Sequence, residues 1–333
     1  MTSDPQLASA GGQFGVVLND LAHEADFPFD LGGWTVDRAT TSEINIFRHQ
    51  LVALNEIASY HHGLPHEATI EVDPGGRAAS YSWDLPPDKW RYTVVRLDGG
   101  DPDERHKLDQ ALRVSPADLR ITGWVEWQSA AAEKSIGLNA PEWVHWLRRM
   151  FGERAPQSLD FVRVKEIFDV RQALDEDRYP NIVRALQLFV QYDELRETSG
   201  AKFLGHFAVL ESLLSHNPDK HDPVDSITRQ LKRNLVLLDH RMPPSENLGL
   251  TEFGKKGQQV TAEQVIGKLY SIRSSVAHGG DPSGDLAWLN DRRPSSWTPL
   301  SDHEYGYLRR VTQRVLVAAL REPQLVTDLR GVA

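Results

Sequence analysis

The hydrophobic pattern of the chain changes after Tyr179-Pro180, and this change limits the folds that the sequence can adopt. Before this point, short segments alternate apolar and polar residues between turn-forming Gly and Pro, as β-strands do. After it, apolar residues recur every three or four positions over long segments, which predicts amphipathic helices. We therefore expect an α+β chain, with a mixed α and β domain at residues 1–178 and an all-α helical bundle at residues 179–325.

The same periodicity places the elements within each domain. In the first domain, strands are predicted at residues 68–73, 77–85, 91–97, 119–127 and 159–168, and helices at residues 41–57, from Pro102 through Leu112, and at residues 140–147. In the second, five helices are predicted at residues 181–197, 202–215, 224–238, 262–278 and 303–320, with irregular stretches at residues 243–257 and 281–299.

The composition places the chain in a broad class. At 333 residues, with 40% hydrophobic and 25% charged residues, it resembles an ordinary soluble globular protein of two domains. It contains no cysteine, which excludes disulfides, thiolate zinc sites and cysteine nucleophiles and fits a reducing compartment. No signal peptide or membrane-spanning stretch is visible, so we expect a cytoplasmic protein without a membrane partner.

The charge is spread unevenly along the chain. Residues 1–200 hold 20 Lys and Arg against 32 Asp and Glu, whereas residues 201–333 hold 17 against 15. An anionic ligand is therefore expected to prefer the C-terminal part.

Three closely spaced histidines, His61, His62 and His66, suggest a metal site at first sight. Gly63 and Pro65 interrupt any regular face on which their rings would meet. The sequence therefore favours a solvated loop here and predicts no metal ion.

The segment from Lys268 to Gly280 combines a helix end with two groups suited to RNA chemistry. Apolar residues at helical spacing predict a helix, and Gly279 followed by Gly280 predicts its left-handed stop. Arg273 and His278 lie just before that stop. An imidazole that titrates near neutrality can take and give a proton, and a guanidinium can grip a phosphate, as metal-free cleavage of RNA requires. The alternative is that His278 only caps the last carbonyl groups, since residues five apart lie about 140° apart around a helix.

Two segments of the second half resemble a known family. Phe207-Ala-Val-Leu-Glu211-Ser-Leu-Leu214 lies on the second predicted helix, and Leu269-Tyr270-Ser-Ile-Arg273-Ser274-Ser-Val-Ala-His278-Gly279 lies on the fourth. Together they resemble the ApeA-like branch of the HEPN superfamily, over about residues 180–321. The resemblance implies a helical bundle that dimerises. Catalytic members of that superfamily are metal-independent ribonucleases used as toxins or in phage defence.

The resemblance also assigns roles to individual residues. Arg273 and His278 match the catalytic pair, while Glu211, Tyr270 and Ser274 match supporting positions, and no metal or cofactor is implied. A symmetric homodimer would bring two copies of the pair to one cleft, which would supply both the base and the acid that 2′-hydroxyl attack requires. Glu211 is expected either to pair with Arg273 or to orient His278, the alternative being a carboxylate on the polar edge of its helix.

The leading hypothesis is therefore a dimeric endoribonuclease acting on single-stranded or looped RNA, with residues 1–178 as a sensor, inhibitor platform or specificity element. An antitoxin or sensor protein is an expected kind of partner. Two basic sets on the third and last predicted helices are candidate RNA contacts, with solvated surface as the alternative: Arg229, Lys232 and Arg233, and Arg309, Arg310 and Arg314.

Two further hypotheses belong to other classes. In the second, the bundle is a non-catalytic dimeric adaptor that binds a partner protein or nucleotide. In the third, the first half is an enzyme and the bundle only dimerises it, although no nucleophile elbow, phosphate loop or metal set supports this reading.

Overall fold

A computed structural model describes residues 12–17, 27–45, 66–72, 78–84, 93–98, 101, 104–116, 121–127, 136–138, 161–195, 199–218, 226–249, 258–290 and 302–331. The chain divides into two compact units. The first comprises Met1–Leu112 and Ala117–Lys165, and the second comprises Arg113–Pro116 and Glu166–Ala333. The fold is α+β, because antiparallel strands dominate the first unit and helices dominate the second.

The first unit is built on an antiparallel sheet. Its described strands are β1 (Gly12–Val17), β2 (Phe29–Asp30), β3 (Trp34–Arg38), β4 (His66–Val72), β5 (Ala78–Asp84), β6 (Thr93–Leu97), β7 (Ile121–Trp127) and β8 (Ile136–Leu138). Six of them form one sheet in the order β2-β3-β6-β1-β7-β8, and β4 and β5 pair separately. The predicted strands at residues 68–73, 77–85, 91–97 and 119–127 are thereby confirmed.

The strands at the centre of this sheet are largely buried. Trp34 and Val36 of β3 are buried, as are Val94 and Val95 of β6. β1 passes close to β7 at Gly15, where a Cβ atom would come within 2.9 Å of the Ile121 side chain. A larger residue at this position would push the two strands apart.

Helix α1 (Arg105–Val114) confirms the prediction of a helix running through Leu112. The helix predicted at residues 41–57 is described only at residues 41–45, and the one predicted at residues 140–147 lies outside the described residues.

One predicted strand is wrong. Residues 159–168 were expected to be extended, but Phe161–Gln172 form helix α2. Phe161, Val164 and Phe168 are buried at helical spacing, while Val162 is 60% exposed. The apolar run Phe-Val-x-Val imitates strand alternation over four residues, and the longer helical period decides the outcome.

The described part of the second unit contains further helices, which confirm the five predicted from periodicity. They are α3 (Pro180–Asp193), α4 (Gly200–Leu214), α5 (Ile227–Arg241), α6 (Ala262–His278), α7 (Ser283–Asn290), α8 (Asp302–Arg321) and α9 (Pro323–Leu329), with a 3₁₀ turn at Pro244–Glu246. Helix α7 lies inside the stretch predicted to be irregular, residues 281–299.

Helix α4 is at the centre of the second unit. It packs against α3, α5, α6, α8 and α9, and nine of its 15 residues are buried. Gly205 allows α3 to cross closely, because a Cβ atom there would overlap the ring of Tyr192. This central helix therefore places its own polar residues against several neighbours at once.

Among the helices that the structure describes, none has the length and apolar character needed to cross a membrane.

Candidate functional site

Helix α6 carries the Arg-x4-His motif, and both of its ends are defined by local interactions. At the start, Thr261 and Gln264 form a reciprocal capping box, in which each side chain accepts from the other's backbone N–H. At the end, Gly279 adopts a left-handed conformation with φ of 69°, and the Gly280 N–H donates to the Ser275 carbonyl at 2.7 Å. The helix therefore stops immediately after His278.

Two neighbouring helices fix the position of α6. Towards α4, the rings of Tyr270 and Phe207 meet edge to face with centroids 5.7 Å apart. Towards α5, Tyr270 makes a side-chain hydrogen bond with Thr228, and the Lys232 side chain lies directly over Gly267. Tyr270 is thus the residue of α6 at which three helices meet.

Arg273 is held beside this meeting point by Glu211 of α4. Its Nε lies 3.4 Å from Glu211 Oε1, and its Nη2 donates to Oε2 at 3.5 Å. The ion pair is close but poorly aligned, because Nε and Oε1 are buried and neither makes a hydrogen bond to any other described residue. The guanidinium also lies 5.5 Å from the centre of the Tyr270 ring, within cation–π range.

The surroundings disfavour the charged form of the carboxyl group. Burial raises the pKa of Glu211 above its ordinary value of 4.5, although the Arg273 charge and a hydrogen bond from Tyr270 act in the opposite direction. Burial and the Glu211 charge likewise raise the pKa of Tyr270 above 10.0. Glu211, Tyr270 and Arg273 are called here the rim cluster. In this cluster the Arg273 charge and the Tyr270 hydrogen bond only partly offset the cost of burying the Glu211 carboxylate.

His278 lies apart from the rim cluster. It is the last residue of α6 and exposed, and its ring makes no hydrogen bond or ion pair within the described part of the chain. Because it lies five positions after Arg273, the two side chains leave α6 about 140° apart. Ser274 follows Arg273 and is half-buried. Within one chain, the structure brings Arg273 together with Glu211 and Tyr270 but not with His278.

The three candidate RNA-contacting residues of α5 do not all point in the same direction. Arg229 and Arg233 are exposed, and Arg233 Nε donates to the side chain of Asn234 at 2.9 Å. Lys232 turns towards α6 instead, with its amine beside Gly267. Asn234 in turn is buried and donates to the carbonyl groups of Leu214 and Leu329, which ties α5 to the ends of α4 and α9.

The three candidate RNA-contacting residues on α8 lie in three different environments. Arg309 was a candidate RNA contact with solvated surface as the alternative, but it is 11% exposed and binds the buried carboxylate of Asp193 through Nε at 2.6 Å and Nη2 at 3.0 Å. It is therefore unavailable to a nucleic acid. Arg310 is exposed beside the Tyr307 ring, and Arg314 donates to the carbonyl of Asn247.

Asp193 is a buried carboxylate that sequence reasoning missed. Besides Arg309, it faces Lys202 Nζ at 3.5 Å and Arg113 Nη1 at 3.9 Å, and all three cations are largely buried. Lys202 Nζ also donates to the Asp193 carbonyl at 2.9 Å. These four residues are called here the buried cluster. Arg113 and Arg309 lie too far from Asp193 in the sequence for a local pattern to reveal the cluster.

Other sequence-derived candidates contribute little to a site. His61 and His62 lie outside the described residues, and His66 is the first residue of β4. Within the described ranges, no three His, Asp or Glu side chains converge as metal ligands would.

Comparison of this chain with protein-family models, with curated proteins and with solved structures finds no match.

Proposed function

We propose that the chain is a metal-independent endoribonuclease of the HEPN type, in which Arg273 and His278 act at a cleft shared by two copies of the helical unit. The observation that carries the proposal is the setting of the motif on α6. Arg273 lies at a partly exposed rim with a misaligned partner, and His278 lies exposed at a helix end defined by Gly279. Both groups are therefore accessible to a phosphodiester.

Dimerisation follows from the separation of the two side chains. One chain presents one imidazole, and that imidazole leaves α6 on a different side from Arg273. A two-fold axis near the end of α6 would place the His278 ring of one subunit opposite that of its partner, with an Arg273 from each beside them. Such a cleft would hold two proton-transfer groups and two phosphate-binding groups.

The chemistry assigned to this cleft is an internal transesterification. One His278 removes the proton of the ribose 2′-hydroxyl as its oxygen bonds to phosphorus. The second His278 donates a proton to the departing 5′-oxygen as the phosphorus–oxygen bond breaks. Arg273 stabilises the charge that develops on the phosphorane. The products are a 2′,3′-cyclic phosphate and a free 5′-hydroxyl.

Glu211 and Tyr270 serve this chemistry as positioning residues. They hold Arg273 on the α4 side of α6, yet the long and poorly aligned contacts leave its guanidinium able to exchange a carboxylate for a phosphate. A toxin or phage-defence role, with an antitoxin or sensor protein as partner, fits this proposal.

The test compares purified wild-type protein with Arg273→Ala and His278→Ala on labelled single-stranded RNA in the presence of EDTA. We expect wild type to cleave and both variants to lose at least about a hundredfold in rate, because each removes a group that acts in the transition state. Arg184→Ala is a matched control, since Arg184 is an exposed arginine on α3, remote in sequence from the motif.

The alternative, a non-catalytic adaptor, predicts a different result. No cleavage would then be seen with any protein, or a cleavage activity would persist in both variants and mark a contaminating nuclease. Products with 2′,3′-cyclic phosphate ends would support transesterification, and a strict requirement for a divalent metal would contradict it.

A further inference from the structure

We infer that the exposed face of α5 is a binding track for the phosphate backbone of single-stranded RNA, leading away from the rim cluster. The inference rests on the proposed function, which identifies the ligand as RNA. It adds the surface along which the RNA binds, which the Arg-x4-His motif alone does not specify. Its occupant is a single RNA strand.

The composition of α5 supports a polyanionic ligand. Its 15 residues include three arginines and one lysine against a single aspartate, in a chain whose overall net charge is −10. Arg229, Arg233 and His240 fall within about 40° of one another around the helix axis. All three are exposed, as is the adjoining Arg241 at the end of the helix. We call these four residues the α5 track.

The spacing along the track suits an extended nucleic-acid strand. Arg229 and Arg233 are one helical step of four residues apart, which is about 6 Å along the axis. This is comparable with the separation of consecutive phosphates in an extended single strand. Leu237 is 50% exposed between the charges and offers an apolar patch that a base or ribose can cover. Arg229, Arg233, Leu237 and Arg241 follow one another every four residues, so they form one ridge that winds about 120° around the helix. A strand rather than a duplex fits this ridge, because non-specific single-strand binding combines a line of cations with apolar contacts.

The position of the track connects it with the proposed catalytic centre. Helix α5 runs antiparallel to α6, with Thr228 bonded to Tyr270 and Lys232 beside Gly267. Arg229 therefore lies at the end of α5 that adjoins the rim cluster, and Arg241 lies at the far end. A strand whose scissile phosphate sits at Arg273 would continue along α5 for about 18 Å, the axial distance from Arg229 to Arg241.

The far end of the track opens on a small pocket. Arg241 lines it together with Arg314 and Arg321, and Leu238, Met242 and Ala318 form its apolar part. Glu246 and Glu322 also line the pocket and pair with Arg321 at 2.7 Å and Arg241 at 3.0 Å. Arg321 also lies 3.8 Å from Glu166, so the charges at the pocket balance and the phosphate-binding surface is assigned to α5 itself.

The test measures binding rather than cleavage. The probe is a fluorescent 2′-O-methyl oligoribonucleotide of about 12 nucleotides, within the site sizes known for single-strand binders. It lacks the 2′-hydroxyl that transesterification needs, so the wild-type protein can be used. We expect the triple variant Arg229→Ala/Arg233→Ala/Arg241→Ala to bind at least about tenfold more weakly at low salt. The slope of log K against log salt concentration should fall by about 2, because single-strand contacts contribute about 0.7 each.

Two further variants keep the inference falsifiable. The charge-retaining variant Arg229→Lys/Arg233→Lys/Arg241→Lys should bind nearly as wild type, because a lysine also contacts phosphate as a point charge. Arg184→Ala should change neither affinity nor slope, since Arg184 lies on α3 outside the track. A triple alanine variant that is folded by circular dichroism and binds like wild type overturns the inference.

The outcome is independent of catalysis. If wild type cleaves RNA but the triple variant binds the probe unchanged, the track is wrong and the nuclease stands. If binding depends on the track and no RNA is cleaved, the track stands and the nuclease is wrong. If α5 instead binds an acidic protein, the wild-type protein should not bind the probe at all. That result would also overturn the inference.

Discussion

Helix α4 contributes to two charge clusters that differ in almost every physical respect. Near its start, Lys202 belongs to the buried cluster, where Asp193 is 0% exposed and Arg309 binds it in a bidentate arrangement with short contacts. Near its end, Glu211 belongs to the rim cluster, where Arg273 is 29% exposed and its contacts are 3.4 Å and 3.5 Å long.

The difference separates a structural role from a chemical one. In the buried cluster, three cations offset the cost of taking one carboxylate out of water. The short bidentate contacts with Arg309 hold Asp193 in its present pairing. In the rim cluster, burial disfavours the charged form of Glu211 and the ion pair is poorly aligned. Arg273 can therefore exchange this carboxylate for a phosphate at a small cost in free energy. The rim cluster is therefore the better candidate for function.

Removing the central carboxylate should give the largest effect on stability. Asp193→Ala leaves Arg113, Lys202 and Arg309 buried without their common partner, and we expect a loss of about 3–5 kcal/mol in the free energy of unfolding. Urea denaturation followed by circular dichroism measures it. Glu322→Ala is the control, because its pair with Arg241 is largely exposed and contributes about 0–1 kcal/mol. A loss below 1 kcal/mol for Asp193→Ala would show that the buried cluster does not support the fold.

Removing one cation from each cluster should give a smaller and unequal effect. Arg309→Ala is expected to lower the free energy of unfolding by about 1.5–3 kcal/mol, as loss of buried hydrogen bonds to a charged group does. Arg273→Ala should lower it by about 1 kcal/mol or less, because its partner is already poorly paired. Arg310→Ala, an exposed neighbour on α8, should stay within about 0.5 kcal/mol of wild type. Equal losses for Arg309→Ala and Arg273→Ala would erase the distinction between the clusters.

The smallest expected effect is a change in pH dependence. Since the folded-state pKa of Glu211 is raised, its contribution to stability is fully present below the ordinary value of 4.5 and is lost as pH rises through the raised value. Glu211→Gln removes this titration while keeping a side chain of the same shape. The variant should therefore gain in stability relative to wild type as pH rises through that window. Thermal denaturation over a pH series measures the difference, and a wild type that gains relative to the variant over the same window would contradict it.

The helical unit was largely predictable because its periods are long. Helix α6 spans residues 262–278 as predicted, and the left-handed Gly279 was expected from the glycine pair that follows His278. Helix α7 was missed, since the eight residues of Ser283–Asn290 are too few for a period to stand out beside Asp281 and Pro282.

The two clusters differ in how far sequence reasoning could reach them. Contact between Glu211 and Arg273 was one of two expected arrangements, because both belong to segments that carried the family resemblance. The burial of Arg309 could not be foreseen, because its partner Asp193 lies 116 residues away and was unremarkable on its own helix. From the sequence alone, an arginine at regular spacing on α8 is expected to lie on the solvated surface. Only the fold shows that a buried carboxylate lies beside it.

The most direct test of the central claim is a subunit-mixing experiment that asks whether one catalytic site needs two chains. Wild-type protein is mixed in varying ratio with Arg273→Ala/His278→Ala under conditions that allow subunits to exchange, and RNA cleavage is measured with EDTA present. If the site is shared across a two-fold axis, total activity should fall with the square of the wild-type fraction, because only wild-type homodimers carry a complete set of groups. Activity that falls in direct proportion to the wild-type fraction would contradict the shared site.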